Sequence, residues 1–251
     1  MSKQEKMVQN FFNSNAIDYK EKYSRKNKFY EYFFYERLEE VTKNIDFNNK
    51  NILDIGHGTG GLYDFIADRY EALNFFATDI SCDMLKQSSL KEENRFCGNC
   101  YDANFPVKKF DYIFMLGVST YIELEELNRI FEFVHNSLAK SGVFIITFTN
   151  RRSISNVIRG KFSFLTKLAF KKDKVSSQPF REYGYSIDEA KKITEHLFST
   201  QKVSFLNHTF FPFSRIFPLL SIKFAKYLKK TNIDKEYLSS DFILFLKAYN
   251  T

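Results

Sequence analysis

The most constraining stretch of this chain is Asn51-Ile52-Leu53-Asp54-Ile55-Gly56-His57-Gly58-Thr59-Gly60-Gly61. An apolar run short enough for a buried strand (Ile52, Leu53, Ile55) stops at glycines spaced Gly56, Gly58, Gly60, and a helical pattern starts at Leu62. Glycine lets the backbone take conformations closed to other residues there, and lets it approach a ligand with no Cβ in the way. The stretch therefore reads as a strand, a tight turn and a helix around a nucleotide-sized pocket. Dinucleotide-binding folds place a glycine turn at the same point, but their fingerprint is Gly-x-Gly-x-x-Gly. Here Gly60 follows Gly58 after a single residue and Asp54 precedes the first glycine, so that fingerprint fails.

The second apolar run, Phe75-Phe76-Ala77-Thr78, ends in Asp79, where an acidic side chain can accept hydrogen bonds from both hydroxyls of a ribose. Phe110-Asp111-Tyr112-Ile113-Phe114-Met115-Leu116-Gly117 reads as a fourth strand, and Ser141-Gly142 as a turn into a fifth at Val143-Phe144-Ile145-Ile146. Between them, Leu124, Leu127, Ile130, Phe131, Val134 and Leu138 make the apolar stripe of a helix, with His135 beside it as packing or surface. Strands and helical stretches alternate, as in a mostly parallel sheet covered on both faces. In this order of motifs the chain resembles the class I S-adenosylmethionine-dependent methyltransferases, closely over Asn51 to Asn150 and in outline elsewhere.

That resemblance implies an α/β, Rossmann-like fold: a seven-stranded, mostly parallel sheet whose last strand is antiparallel, with helices on both faces. It also implies a helical cap over residues 1–45, and one structural unit over residues 46–251 with helical insertions at about 151–185 and 212–238. The cofactor it implies is S-adenosyl-L-methionine. The glycine turn that lies under the methionine part maps onto Asp54, Gly56, Gly58 and Gly60, with His57 lining the cleft. Asp79 maps onto the ribose site, and Ile80 and Met84 onto the adenine wall. The family's usual Gly-Asp after the third strand reads Gly98-Asn99 here; Asn99 can accept the adenine amino group through its carbonyl, and Asp102 is the rival. Cys100, Leu116 and Gly117 complete the cofactor-binding set. The family's N-terminal helices fold over the cofactor, so Tyr19 and Tyr23 are covering candidates and Arg37 a partner for its carboxylate; an ordinary aromatic packing face with a solvated arginine is the competing reading. Where many members carry a His-His pair after the fourth strand, this chain has Thr120-Tyr121.

Ahead of the first strand, Val8 to Ala16 and Tyr19 to Lys43 read as two or three helices. Arg151 to Gln178 is basic and interleaved with Phe162, Phe164, Leu165, Leu168 and Phe170: a lid, an anion clamp, a membrane-surface helix or a solvated face. Ser186-Ile187-Asp188-Glu189 is a capping box opening a helix to about Phe198, Val203 to Phe211 reads as the sixth strand and Asp241 to Tyr249 as the last. Between those strands lies a second amphipathic basic stretch, Ser214 to Lys230. The net charge of +7 suits an anionic partner and is also common in plain enzymes. No apolar run reaches the roughly 18 to 20 residues needed to span a bilayer, and the polar start has no signal-peptide core, so a cytoplasmic location is expected. Three cysteines point to no disulfide framework, and Cys97-Gly98-Asn99-Cys100 reads as a strand end with two buried thiols rather than a redox or metal motif. No metal site is expected.

A sulfonium methyl is already electrophilic, so transfer needs positioning more than acid or base groups. A base is needed only for a hydroxyl or protonated amine acceptor. Tyr121, just past the fourth strand, is the substrate-side candidate and orients better than it deprotonates. His208 is the best-placed histidine base, against a strand-end histidine with ordinary partners. His196 sits on a helix and carries no separate signal. The function expected is methyl transfer to an oxygen or nitrogen of a small molecule: a metabolite, sugar or natural product. The alternatives are a lipid-linked, quinone-type acceptor at a membrane surface, an RNA or protein acceptor, and a catalytically silent cofactor-binding module. No Asn-Pro-Pro-Tyr-type motif follows the fourth strand, which counts against base methylation and nucleic acid as partner. Peripheral membrane contact and homo-oligomerisation stay open.

Overall fold

The computed structural model describes residues 1–24, 28–70, 72–161, 179–208, 213–231 and 236–249. The strands β1 (Lys50–Ile55), β2 (Leu73–Asp79), β3 (Arg95–Cys97), β4 (Phe110–Met115), β5 (Leu138–Thr149), β6 (Phe198–His208) and β7 (Ser239–Ala248) form one sheet in the order β3-β2-β1-β4-β5-β7-β6. β1, β2, β3, β4 and β5 run parallel, and β7 lies antiparallel to both β5 and β6. This is the expected seven-stranded Rossmann-like sheet with its one antiparallel strand. The chain order reverses between β1 and β4, and ligands of open parallel sheets bind beyond the carboxyl ends of the strands at such a reversal. Gly56 and Leu116-Gly117 lie there.

Alternation along the strands feeds two apolar layers, because successive side chains point to opposite faces. Leu53, Ile113, Met115, Phe144, Ile146, Phe242 and Leu244 pack with Leu127, Ile130, Phe131 and Val134 of helix α5 (Leu124–Ser137). Ile52, Phe75, Phe114, Ile145 and Ile243 pack on the other face with Phe33, Leu38 and Val41 of α2 (Lys28–Thr42) and with Leu62 and Ile66 of α3 (Gly61–Ala67). The predicted α5 stripe is therefore a core face from Leu127 to Val134, while Leu124 at its start is exposed, and His135 beside it meets Phe198 edge-on.

Several boundaries differ from the sequence reading. The first helix, α1, runs over Lys3–Ser24, well beyond Val8 to Ala16. β5 begins at Leu138 directly after α5, because Leu138 pairs with Phe110 before a register shift between Phe110 and Tyr112; Gly142 lies inside the strand, where a Cβ would come 2.9 Å from the Phe110 carbonyl. The capping box is real, with Ser186 and Glu189 bonding each other's amides, but its helix α7 ends at Thr194 (Ile187–Thr194), so His196 lies in an exposed turn. β6 starts at Phe198 rather than Val203: a register shift between Thr200 and Lys202 breaks the alternation that would have revealed it. Of the first basic stretch, α6 covers Ile154–Lys161, while residues 162–178 and the expected strand end at 209–211 lie outside the described residues, as does the Tyr23 side chain. The second basic stretch folds as α8 (Phe213–Ile216) and α9 (Pro218–Lys230).

The cysteine reading is corrected. Parallel register sets Cys97 beside Asp79, and α4 (Cys82–Lys86) starts three residues past Asp79, which brings Cys82 and Cys97 to a Cα separation of 5.2 Å as a disulfide. Cys97 is exposed rather than buried, and Cys100 is the free, buried cysteine. Among the described residues no helix is long and apolar enough to cross a membrane, and no cluster of three or more His, Cys, Asp or Glu is placed to hold a metal.

At the junction of α2, α9 and β6, Glu36 is buried with the Tyr32 hydroxyl at 3.2 Å, the Asn207 amide at 3.4 Å and Lys229 at 3.7 Å. Burial pushes its carboxyl above the ordinary range, against the pull of these three partners. The folded protein thus keeps a proton that the unfolded chain has released, so this group lowers stability as pH rises from the ordinary carboxylate range through the raised pKa. Glu36→Gln should abolish that decline: its urea midpoint relative to wild type should be more favourable at pH 7 than at pH 4. An offset independent of pH would refute the assignment.

Candidate functional site

Two cavities meet beyond the carboxyl ends of β1 and β4. The larger, about 930 Å³, is lined among others by Arg37, Asp54, His57, Thr147, Phe148 and Asp241. The smaller, about 120 Å³, is lined by Asp79, Ile80, Met84, Gly98, Asn99 and Cys100. Tyr19, Gly56, Gly58, Leu116, Gly117 and Tyr121 belong to both linings, so they form the rim where the cavities join. The structure thus brings thirteen of the fourteen expected cofactor-binding residues onto these walls. The exception, Gly60, shapes the turn from behind, with φ of 93° at the start of α3 and the Ser88 hydroxyl 2.6 Å from where a Cβ would sit. Asn99 lines the smaller cavity, whereas Asp102 is exposed and outside it.

The glycine turn is closed by its neighbours. A Cβ at Gly56, φ 74°, would stand 2.2 Å from the Val118 side chain. The Gly58 amide donates to Asp79 Oδ2 at 2.7 Å, and the Ser81 amide donates to Oδ1 at 2.8 Å. Burial pushes the Asp79 carboxyl up, while these two amides and His57 pull it back. The carboxylate retains lone pairs for further donors, which suits diol recognition. His57 spans Asp54, 2.9 Å from its Nδ1, and Ser88, 2.8 Å from its Nε2, so its ring holds β1 against the segment after α4 as well as lining the cleft. The free Cys100 thiol is pushed up by burial to about 12, so it stays protonated.

Arg37 reaches from α2 to the rim, its guanidinium 4.7 Å from the centre of the Phe33 ring and its Nη1 2.8 Å from where a Gly117 Cβ would be. Its Nε is buried with no hydrogen-bond partner, and among the described residues no carboxylate pairs with it. A half-buried guanidinium at the cavity wall in that state fits an anionic group entering the cleft.

α1 closes the smaller cavity from outside, contributing Glu5, Val8 and Phe12. Gln9 donates to the Ile80 carbonyl at 2.7 Å, and the Ser81 hydroxyl donates to Asn13 Oδ1 at 2.6 Å. Gln4 donates to the Arg181 carbonyl at 2.7 Å, and Tyr121 packs edge-on against Phe12 at 5.4 Å and Phe180 at 5.5 Å. Sequence reasoning missed these α1 contacts and the cleft residues Thr147, Thr149 and Asp241, since no spacing marks a polar residue as facing a loop remote in sequence. His208, read as a base or as a strand-end histidine, is buried at the end of β6 opposite Ser239 and lines neither cavity.

A model of the methyltransferase domain matches residues 52–142. The chain is 28% identical over 122 residues to the phosphoethanolamine N-methyltransferase of Plasmodium falciparum, covering 45% of this chain and 44% of that protein, so it spans under half the length of the curated relative it matches. Among solved structures, magnesium protoporphyrin IX methyltransferase from Synechocystis PCC 6803 with bound SAH superposes with a TM-score of 0.63 at 14% identity, covering 98% of this chain and 100% of the other. The methyltransferase in a complex with the Haloferax volcanii Trm112 activator gives 0.66 at 12% identity, over 97% of this chain and 98% of that one. Over residues 52–142 the chain thus matches the methyltransferase domain, and its sheet order and glycine turn are those of the Rossmann-like methyltransferase fold.

Proposed function

We propose that the protein transfers a methyl group from S-adenosyl-L-methionine to an oxygen or nitrogen of a small-molecule acceptor, and does so in the cytoplasm. The observation that carries this reading is the buried, unpartnered Nε of Arg37 at the rim between two cavities of unequal size. When bound, the cofactor supplies a methyl on a positively charged sulfur, which a well-aligned nucleophile can take directly. Arg37 would hold the amino-acid carboxylate, Asp79 the ribose hydroxyls and Asn99 the adenine amino group, with Ile80 and Met84 against the ring. Residues 1–45 act in this reading as a cap, since Gln9 and Asn13 tie α1 to the segment after β2.

The larger cavity supports a small acceptor. Its walls carry Phe34, Tyr35, Phe65 and Phe148 together with the carboxylates Glu31 and Asp241 and the hydroxyls Thr120 and Thr149. Aromatic walls exclude water and the polar groups fix orientation. A carboxylate near the acceptor also suits the proton that a hydroxyl or ammonium must give up. The relatives named for phosphoethanolamine and magnesium protoporphyrin IX act on acceptors that are not macromolecules, which supports the same class. Tyr121 at the rim orients the acceptor.

Calorimetric titration with S-adenosylmethionine should give micromolar binding to the wild type. It should weaken by about tenfold to a hundredfold in Asp79→Ala and Arg37→Met, the range for a hydrogen bond to a charged group. A well-folded wild type that binds no cofactor would sink the proposal. Tyr121→Phe keeps the aromatic contacts and should leave cofactor affinity unchanged while lowering turnover with a working acceptor by about tenfold. Unchanged turnover would remove its hydroxyl from the reaction.

A further inference from the structure

The face that α8 and α9 turn to solvent has no role in the reading above. Ser221, Ala225 and Leu228 of α9 are buried at one-turn intervals. The opposite stripe of the helix, Leu219, Lys223, Tyr227 and Lys230, points outward. Ile216, Phe217, Leu219, Leu220 and Tyr227 are 53%, 54%, 59%, 53% and 62% exposed. Large apolar side chains gathered on a surface in this way mark an interaction site.

Charge identifies the partner. From His196 to Ile233 the chain contains no Asp or Glu, and α9 carries Lys223, Lys226, Lys229 and Lys230. Lys229 lies 3.7 Å from Glu36 and Lys226 lies over the Tyr32 ring, which leaves Lys223 and Lys230 on the outward stripe. The centres of protein–protein interfaces are depleted in lysine, whereas here lysines alternate with exposed Leu and Tyr along one stripe. An amphipathic helix with Phe and Leu toward the acyl boundary, Tyr at the headgroup level and Lys beside it is the arrangement that lies in an anionic bilayer surface.

We infer that α8 and α9 dock the protein on the surface of an anionic membrane, with Ile216, Phe217, Leu219 and Leu220 entering the headgroup boundary and Lys223 and Lys230 meeting lipid phosphates. The docking is peripheral. It goes beyond the proposed reaction and does not depend on it, since α2 lies between α9 and the cleft: its Glu36 faces Lys229, while its Phe33, Phe34 and Arg37 line the cavity.

The test is cosedimentation of the full chain with vesicles of phosphatidylcholine alone and vesicles in which part of it is replaced by phosphatidylglycerol, at low and high salt. Binding should require the anionic lipid and weaken with salt. Each lysine is worth about fivefold in affinity at such a surface, so Lys223→Glu with Lys230→Glu should release the protein from vesicles. Leu219→Ser with Leu220→Ser should do the same. These positions are exposed, so both variants should keep the wild-type melting temperature and cofactor affinity. Absence of vesicle binding, or binding equal in wild type and both variants, would overturn the inference. So would a dimer in sedimentation equilibrium without lipid that Leu219→Ser disperses, since a second copy would then be the occupant.

Discussion

The carboxylate of Asp79 is the tie on which the site depends. It sits at the end of β2 and accepts one amide from the glycine turn after β1 and one from the segment that opens α4. Each oxygen therefore fixes a different piece of backbone, and both pieces line the smaller cavity. Enclosing a carboxylate is costly unless donors surround it, and the backbone supplies them. The conformation of the turn is thus set by the same group that faces a ligand's hydroxyls. Gly56 and Gly58 are required by the left-handed φ angles that this geometry imposes.

The parts of the fold legible in the sequence were those enforced by local backbone chemistry or by strict alternation. The spaced glycines, the apolar runs ending in Asp79 and Leu116-Gly117, and the stripe of α5 each express a constraint confined to a few consecutive residues. Parallel strands buried on both faces read as nearly continuous apolar runs, so β1, β2 and β4 stood out. β6 did not, because Ser199, Thr200, Gln201 and Lys202 straddle a register shift and look like loop. The junction of α5 and β5 was hidden because Leu138 completes the helical stripe and also pairs with Phe110. In both places tertiary pairing, rather than local pattern, sets the boundary.

Site residues divide in the same way. Those on strand ends were found, because a strand end at the β1/β4 reversal is a ligand position by topology. Of the α1 residues at the site only Tyr19 was found; Glu5, Val8 and Phe12 of α1 and Asp241 of β7 were not, since their approach depends on how remote elements pack. His208 is the converse case: proximity to a late strand suggested chemistry, yet it is buried opposite Ser239 and lines neither cavity, in keeping with the strand-end reading. Arg37 was weighed against a solvated arginine, and its buried Nε and contact with Phe33 separate the two environments.

The bridge between Cys82 and Cys97 closes a loop of chain that starts just after Ile80 and ends just before Gly98 and Asn99. Both flanks of that loop wall the smaller cavity, so the covalent link fixes the spacing of its two sides even when α4 and β3 breathe. In chain-entropy terms, closing a segment of about 15 residues removes roughly 3 kcal/mol of freedom from the unfolded ensemble. That stabilisation falls on the region where β3 contributes only three residues to the edge of the sheet. The pocket's weakest-paired wall is the one that covalent chemistry holds in place.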